Sequence, residues 1–428
     1  MRDQRGRSGT MSVMTPLPDG YTAVDLAPAR LRDILTLDTW AFPSSVSEEK
    51  MADLPSALPW SRAGGVEAAD GELVGMYAAY PYRAFPVPGA RIPVAGLTWV
   101  GVHPGHRRRG ILRAMMDRHF AQAHDAGEAV AALFAAEPGI YGRFGYGLAA
   151  RDLRLTVPRG AALRDVPGAE AMRVRLERLD PERHGPVLHA VHSAVDRPGW
   201  ATRETEGALA ASLADPEFYR DGAESLRIAL VEDAEGTPRG YAKFRRKDDW
   251  RAEGPRGVVR VREAVAQDAA TARALWGVLL DLDLMAAVEV DLLAVDDPLW
   301  FLLVDPRAAK PSIGDNLWVR VLDVPVALAQ RRYAAPVDVV LEVGDALAPR
   351  NTGRWRVVGG PDGAEVTRTD AEADLALDVR ELGSAYLGGF TLAALAAAGL
   401  VSERRPGSLH PAATAFGWPV APVSSYVW

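Results

Sequence analysis

"HPGHRRRGILRAMM", residues 103–116, packs three arginines and a glycine between an extended segment and an apolar helical pattern. The preceding run, "VAGLTWVGVHP" (94–104), is rich in β-branched residues and stops at Pro104, which predicts a strand. Downstream, Ile111, Leu112, Met115, Met116 and Phe120 keep helical spacing, so a helix is expected from about Arg108. A strand that feeds a helix through a glycine turn presents free backbone N–H groups and the positive end of the helix dipole together. That arrangement suits an anion, and diphosphates in particular. Gly110 allows close backbone approach, and Arg107, Arg108 and Arg109 add forked donors for phosphate. A solvated basic helix start would carry the same residues. Neither a Walker pattern nor a dinucleotide GxGxxG is present, which argues against a nucleoside triphosphate or NAD.

Composition narrows the function classes. The chain has 428 residues, enough for about three domains at ~150 residues each. A formal net charge of −7 argues against a nucleic-acid binder. Only four of the 49 basic residues are lysine, so arginine position carries more weight than arginine abundance. The absence of cysteine excludes disulfides, thiolate metal sites and a cysteinyl acyl-enzyme. No apolar run reaches the ~20 residues of a membrane span. Residues 1–20 lack an apolar signal core and read as a flexible tail, so a cytoplasmic protein is expected.

Working outward, "LAPARLRDILTLDTWAF" (26–42) reads as one or two amphipathic helices and "ELVGMYAAYPYRAFPVPG" (72–89) as a strand turning at Pro88-Gly89. "EAVAALFAAEP" (128–138) is a short buried strand, followed by "GIYGRFGYG" (139–147). A weak repeat follows: "GMYAAY" at 75 resembles "GYAKF" at 240, and "LTWVGVHP" resembles "GVVRVREAVAQD" at 257, each before a helix. The second copy has neither the glycine nor the arginines, so it is expected to keep the fold and lack the anion site. Beyond it, "NLWVRVLDVPVALAQRRY", three short alternating strands and an Ala/Leu-rich helical region predict a third, α+β domain with a small sheet.

The arginine loop resembles the [Q/R]-x-x-G-x-[G/A] pyrophosphate loop of GNAT acetyltransferases, with Leu112 departing from the usual second small residue. "VGVHPGHRRRGILRAMM" together with "IYGRFGYG", "DNLWVRVLDVPVALAQRRY" and the aromatic last residue resembles the Eis (enhanced intracellular survival) family, over most of the chain. The resemblance implies an α/β architecture of two tandem GNAT folds, the second degenerate, plus a sterol-carrier-protein-like α+β domain. Its segments would be 21–155, 156–303 and 304–428, the last reaching the active site with its C-terminus.

It also implies an acetyl-CoA cosubstrate and residue roles. The backbone of Val100, Gly101 and Val102 would pair with the pantetheine arm. Residues Arg108, Arg109, Gly110, Ile111, Leu112 and Arg113 would wrap the pyrophosphate, and Ala136 and Glu137 would touch the acyl end. Tyr141 would be the general acid, against the alternative of a packing aromatic beside Phe144 and Tyr146. The α-carboxylate of Trp428 would be the general base. Trp40, Phe42 and Trp99 are aromatic candidates for the acceptor site. The acceptor implied is a primary amine of a cationic small molecule of the aminoglycoside type, and the assembly a homohexamer. Alternatives are a protein lysine acetyltransferase and a non-catalytic binder of acyl-CoA or an apolar ligand. The cluster His184, His189 and His192 reads as a solvated helix face rather than a metal site, and no metal is expected.

Overall fold

The computed structural model describes residues 15–43, 46–55 and 57–428. Most of the expected tail, 1–14, lies outside the described residues. Its last part is tied down: Thr15 donates through backbone N and Oγ1 to Asp117, at 3.1 and 2.6 Å.

The first sheet runs, in spatial order, Tyr21–Asp25, Ala63–Ala68, Leu73–Val87, Ala90–Val102, Val130–Leu133, Trp318–Val321 and Gly147–Leu148. Helix Leu31–Ala41 buries Ile34, Leu35 and Leu37. Helix Ile111–Asp125 buries Ile111, Met115 and Met116 of the predicted stripe, with Ala114, His119 and Ala123 beside them, while Leu112 and Phe120 are half-buried. The strand Val130–Leu133 is buried along its whole length, as a parallel strand covered on both faces must be.

The second sheet repeats this order with Arg173–Arg178, Arg227–Glu232, Pro238–Lys247, Gly257–Ala266, Met285–Ala294, Arg151–Pro158 and Ser312–Asp315. Each sheet has one parallel pair at the same place, Ala90–Val102 with Val130–Leu133 and Gly257–Ala266 with Met285–Ala294. The repeat seen in sequence is therefore a repeat of topology.

The two sheets are cross-stitched. Residues 151–155, read with the first segment, pair into the second sheet, and Trp318–Val321, read with the third, pairs into the first. The two crossings meet: backbone N of Ala149 and Ala150 donate to Leu317 O, and Asn316 N donates to Ala150 O.

The third sheet has five strands, Gly363–Arg368, Gly353–Gly360, Val337–Gly344, Leu375–Asp378 and Val401–Glu403. Its helix Val379–Tyr386 lies so close to the first sheet that a Cβ on Gly147 would stand 2.0 Å from Arg380 O. Only glycine admits that approach. The last residues then run back to the junction of the first two sheets.

Candidate active site

The strand Ala90–Val102 is bent by a bulge. Ala78 pairs with Thr98 and Met76 with Gly101, so Trp99 and Val100 stand opposite Tyr77 alone. Trp99 takes φ 52° there, a left-handed value rare for a bulky residue. The parallel pairing with Val130–Leu133 ends at Leu97–Leu133, and the strands part beyond it.

The gap opens into a cavity of about 830 Å³. Val100, Gly101 and Val102 line it, as do Arg108, Gly110, Ile111, Leu112, Arg113, Ala136, Glu137 and Tyr141. Gly110 takes φ 82° with nothing within 4 Å of where a Cβ would stand, and Arg108 takes φ 62°. The 15-residue helix beginning at Ile111 has no side-chain cap, so its first N–H groups stay available. Open amides, a helix start and arginines form a cradle for a diphosphate, and the residues fit acetyl-CoA in that respect.

Arg109 is the exception among the expected cofactor residues. It does not line the cavity; it donates to Tyr21 Oη at 2.7 Å and to Gly105 O at 3.2 Å. Arg107 takes its place in the lining, with Arg143 and Phe144. Arg107 was visible in the same motif; Arg143 and Phe144 belong to "IYGRFGYG" and gave no separate signal.

Tyr141 is buried, 8% exposed, between the cavity and the Tyr146 ring. Burial, reinforced by nearby Glu137, pushes its phenol up to about 12. It stays protonated at every physiological pH.

A second cavity, about 840 Å³, lies between the first two sheets. Tyr80 and Tyr82 come from the first, Lys243, Arg245 and Arg262 from the second, and Ser425–Trp428 from the end of the chain. The Trp428 ring packs edge-on against Phe134 at 4.9 Å and Tyr82 at 5.3 Å. Phe134 follows the last paired residue of its strand, so Trp428 stands where the two strands part, with the first cavity beyond.

The expected acceptor aromatics lie elsewhere. Phe42 lines the first cavity. Trp40 is 57% exposed and packs on His103, while Trp99 packs beside Leu37 and Met76 at the bulge. Neither lines either cavity, although Ala41, next to Trp40 on the same helix, lines the first.

The chain end is held by a buried polar network that sequence reading missed. Glu263 accepts from Arg203 at 2.8 Å, Ser425 Oγ at 3.1 Å, Tyr241 Oη at 2.9 Å and Lys243 Nζ at 3.0 Å. Burial opposes its ionisation, but Arg203 and Lys243 hold it well below the usual carboxylate range. Ser425 also bonds His192 Nε2 at 2.9 Å, and the Arg203 guanidinium lies 4.0 Å over the Tyr426 ring. His184 and His192 are thus buried, not on a solvated face; the N-cap backbone of Asp180 donates to His184 at 2.9 Å. Among the described residues no cluster could hold a metal ion. The signal was present: Glu263 keeps the phase of Val259, Val261 and Val265 on the buried face of its strand.

Two bent-strand α/β units, one with a diphosphate cradle, define a GNAT N-acetyltransferase. Models of the acetyltransferase (GNAT) domain match residues 25–149 and 193–321, and a sterol carrier protein domain matches 324–425. The chain is 42% identical over 357 residues to an uncharacterized N-acetyltransferase of Streptomyces avermitilis, covering 82% of this chain and 86% of that one. It is 36% identical over 353 residues to N-acetyltransferase Eis of Mycobacterium tuberculosis, covering 78% and 82%. The crystal structure of Eis1 from Mycobacterium abscessus superposes with a TM-score of 0.79 at 31% identity, over 95% of this chain and 100% of that one. The chain belongs to the Eis family of N-acetyltransferases.

Proposed function

We propose that this enzyme transfers acetyl from acetyl-CoA directly to a primary amine of a small molecule, in a ternary complex without a covalent enzyme intermediate. The observation that carries the reading is the parting of the two strands, with Tyr141 on the cavity at one side and Trp428 on the cavity at the other. Arg107, Arg108 and the open amides from Gly110 onward bind the pyrophosphate. The backbone of Val100–Val102 pairs with the pantetheine arm. The Trp428 carboxylate takes a proton from the acceptor ammonium, and Tyr141 supplies one to sulfur as the C–S bond breaks. The Trp428 ring, packed on Phe134 and Tyr82, anchors the chain end that carries this carboxylate.

The family resemblance suggests cationic, aminoglycoside-like acceptors, which belong in the first assay panel with polyamines and lysine peptides. A homohexamer is part of the proposal; exposed Phe301, Val304 and Ile313 are apolar residues that a subunit contact would cover. Light scattering tests it. No helix among the described residues is long and apolar enough to cross a membrane. A cytoplasmic location is likewise proposed, and cell fractionation tests it.

The test of the chemistry is thiol release from acetyl-CoA across the panel, in wild type and Tyr141→Phe. The variant should lose ~10²–10⁴-fold in kcat while keeping its acetyl-CoA affinity. A variant with normal kcat returns Tyr141 to a packing role. Absence of turnover with every amine leaves the binding-only alternative.

A further inference from the structure

The wall of the second cavity presents six cationic side chains, Arg83, Arg154, Arg203, Lys243, Arg245 and Arg262, against two carboxylate side chains, Glu204 and Asp291, and the chain end at Trp428, whose α-carboxylate is the proposed base. Four of the cations are answered from behind the wall. Arg203 and Lys243 pair with Glu263, Arg245 with Asp215 at 2.6 Å, and Arg154 with Asp152 at 2.7 Å. Arg83 and Arg262 are different: among the described residues neither has a carboxylate within ion-pairing distance. Of the two wall carboxylates, Glu204 already accepts from the backbone N of Arg83 and Ala84, at 3.0 and 3.2 Å.

Arg262 is also aimed by the fold. Lys243 pairs with Glu263 and Phe244 with Val261, so Arg262 is the extra residue of a bulge. The bulge occupies the place that Trp99 and Val100 occupy in the first sheet. There the bent strand offers its backbone to the cofactor cavity. Here it turns a guanidinium into the acceptor cavity, which is what a bulge does to a side chain beside a site. Burial, and after it the neighbouring Arg245, lowers the Arg262 pKa, with Asp291 opposing; Asp291 lies beyond ion-pairing distance, so the guanidinium keeps its donors free. An acceptor bearing several ammonium groups would meet two like charges with no partner. An anion would find two forked donors.

We propose that the acceptor is an amine that also carries an anionic group, a carboxylate or a phosphate, which Arg262 and Arg83 bind while the amine faces the end of the chain. This rests on the acetyl-transfer reading for the place of the amine; the anion site itself rests on the wall of the cavity. The preference would set this chain apart from acceptors that are cationic throughout.

The test uses the full chain and three matched series of graded length: ω-amino carboxylates, ω-amino phosphates and diamines, with kanamycin beside them. Turnover and calorimetric binding are measured in wild type, Arg262→Gln and Arg83→Gln, and acetyl-CoA affinity reports that each variant is folded. One anionic series should exceed the diamine of equal length about tenfold or more in kcat/KM, the scale of one charge-assisted hydrogen bond. Which series wins separates carboxylate from phosphate. In Arg262→Gln that advantage should shrink toward parity, because the ratio reads the anion contact and not the amine. If diamines or kanamycin are the best acceptors and both variants leave the ratios unchanged, the inference is overturned while acetyl transfer stands. If nothing turns over but an amino phosphate or amino carboxylate binds wild type and binds about tenfold more weakly to Arg262→Gln, the anion site stands and the acetyl-transfer reading falls. If neither turnover nor binding distinguishes the anionic series, the site does not exist.

Discussion

Arg108 and Arg109 adjoin in the sequence but turn to different partners. Arg108 sits at φ 62° in the turn and lines the first cavity, the proposed cofactor site, whereas Arg109 is taken up by Tyr21 and Gly105. A run of like residues announces an anion site but does not say which member turns inward, since that depends on backbone angles set by packing. Arg108→Ala should therefore weaken acetyl-CoA binding about ten- to a hundredfold, the ~1.5–3 kcal/mol of a charge-assisted contact. Arg109→Ala should change it much less. Calorimetric titration of both variants checks this, and equal losses would overturn the division. Trp99 shows the same limit of sequence reading. Its aromatic character suggested an acceptor contact, but the structure gives it the left-handed bulge position that bends the strand.

At the scale of elements, the strand and helix that flank the first cavity were legible because their periodicities are local. The helix at Ile111 and the strand ending at Val102 follow from residue spacing and Pro104. What spacing cannot tell is which sheet a strand joins: Trp318–Val321 pairs with Val130–Leu133, nearly two hundred residues earlier in the chain. Nor does it say whether the histidines of Pro181–Ser193 face water, because the tail that covers His192 arrives from the other end of the chain. Burial, partly offset by Glu263, lowers the His192 pKa from 6.5 to about 4. Between those values the unfolded chain binds the extra proton and the folded chain does not, so stability rises with pH through the window. Acidification from about pH 6.5 to about 4 should therefore loosen the fold at a rate of up to ~1.4 kcal/mol per pH unit from this group. His192→Gln should show a shallower fall than wild type in urea unfolding followed across that range. Equal slopes would mean that His192 is not held neutral by its surroundings.

At the scale of the whole molecule, the second GNAT unit has no glycine–arginine loop, yet it contacts the end of the chain that the proposed site uses. Its strand residue Glu263, held by Lys243, Tyr241 and Arg203, fixes Ser425, Arg203 lies over the Tyr426 ring, and the crossing at Asn316 bonds Ser424 through both its amide atoms. Contacts from the second unit thus anchor Ser425 and Tyr426, just before the Trp428 ring that packs on Tyr82 and Phe134 of the first. Appending residues beyond Trp428 moves the α-carboxylate without changing any side chain. An extension of a few glycines should cut kcat ~10²-fold or more, the scale of a lost general base. Acetyl-CoA affinity should survive, because the proposed diphosphate site, Arg107, Arg108 and Gly110 to Arg113, lines the first cavity, whose lining includes no residue of the tail. A glycine extension of equal length at the N-terminus should leave both quantities unchanged. Trp428→Ala keeps a terminal carboxylate but removes the ring from Phe134 and Tyr82, so its kcat should fall between wild type and the C-terminal extension. Glu263→Gln adds an independent arm: with Arg203 and Lys243 left without their shared counter-charge, kcat should fall and the fold should lose about 3–5 kcal/mol. Steady-state kinetics and titration calorimetry on the four variants separate a base held in place from a tail that merely packs. If the C-terminal extension keeps full activity, the carboxylate is not the base, and Glu137 in the cofactor cavity becomes the next group to test.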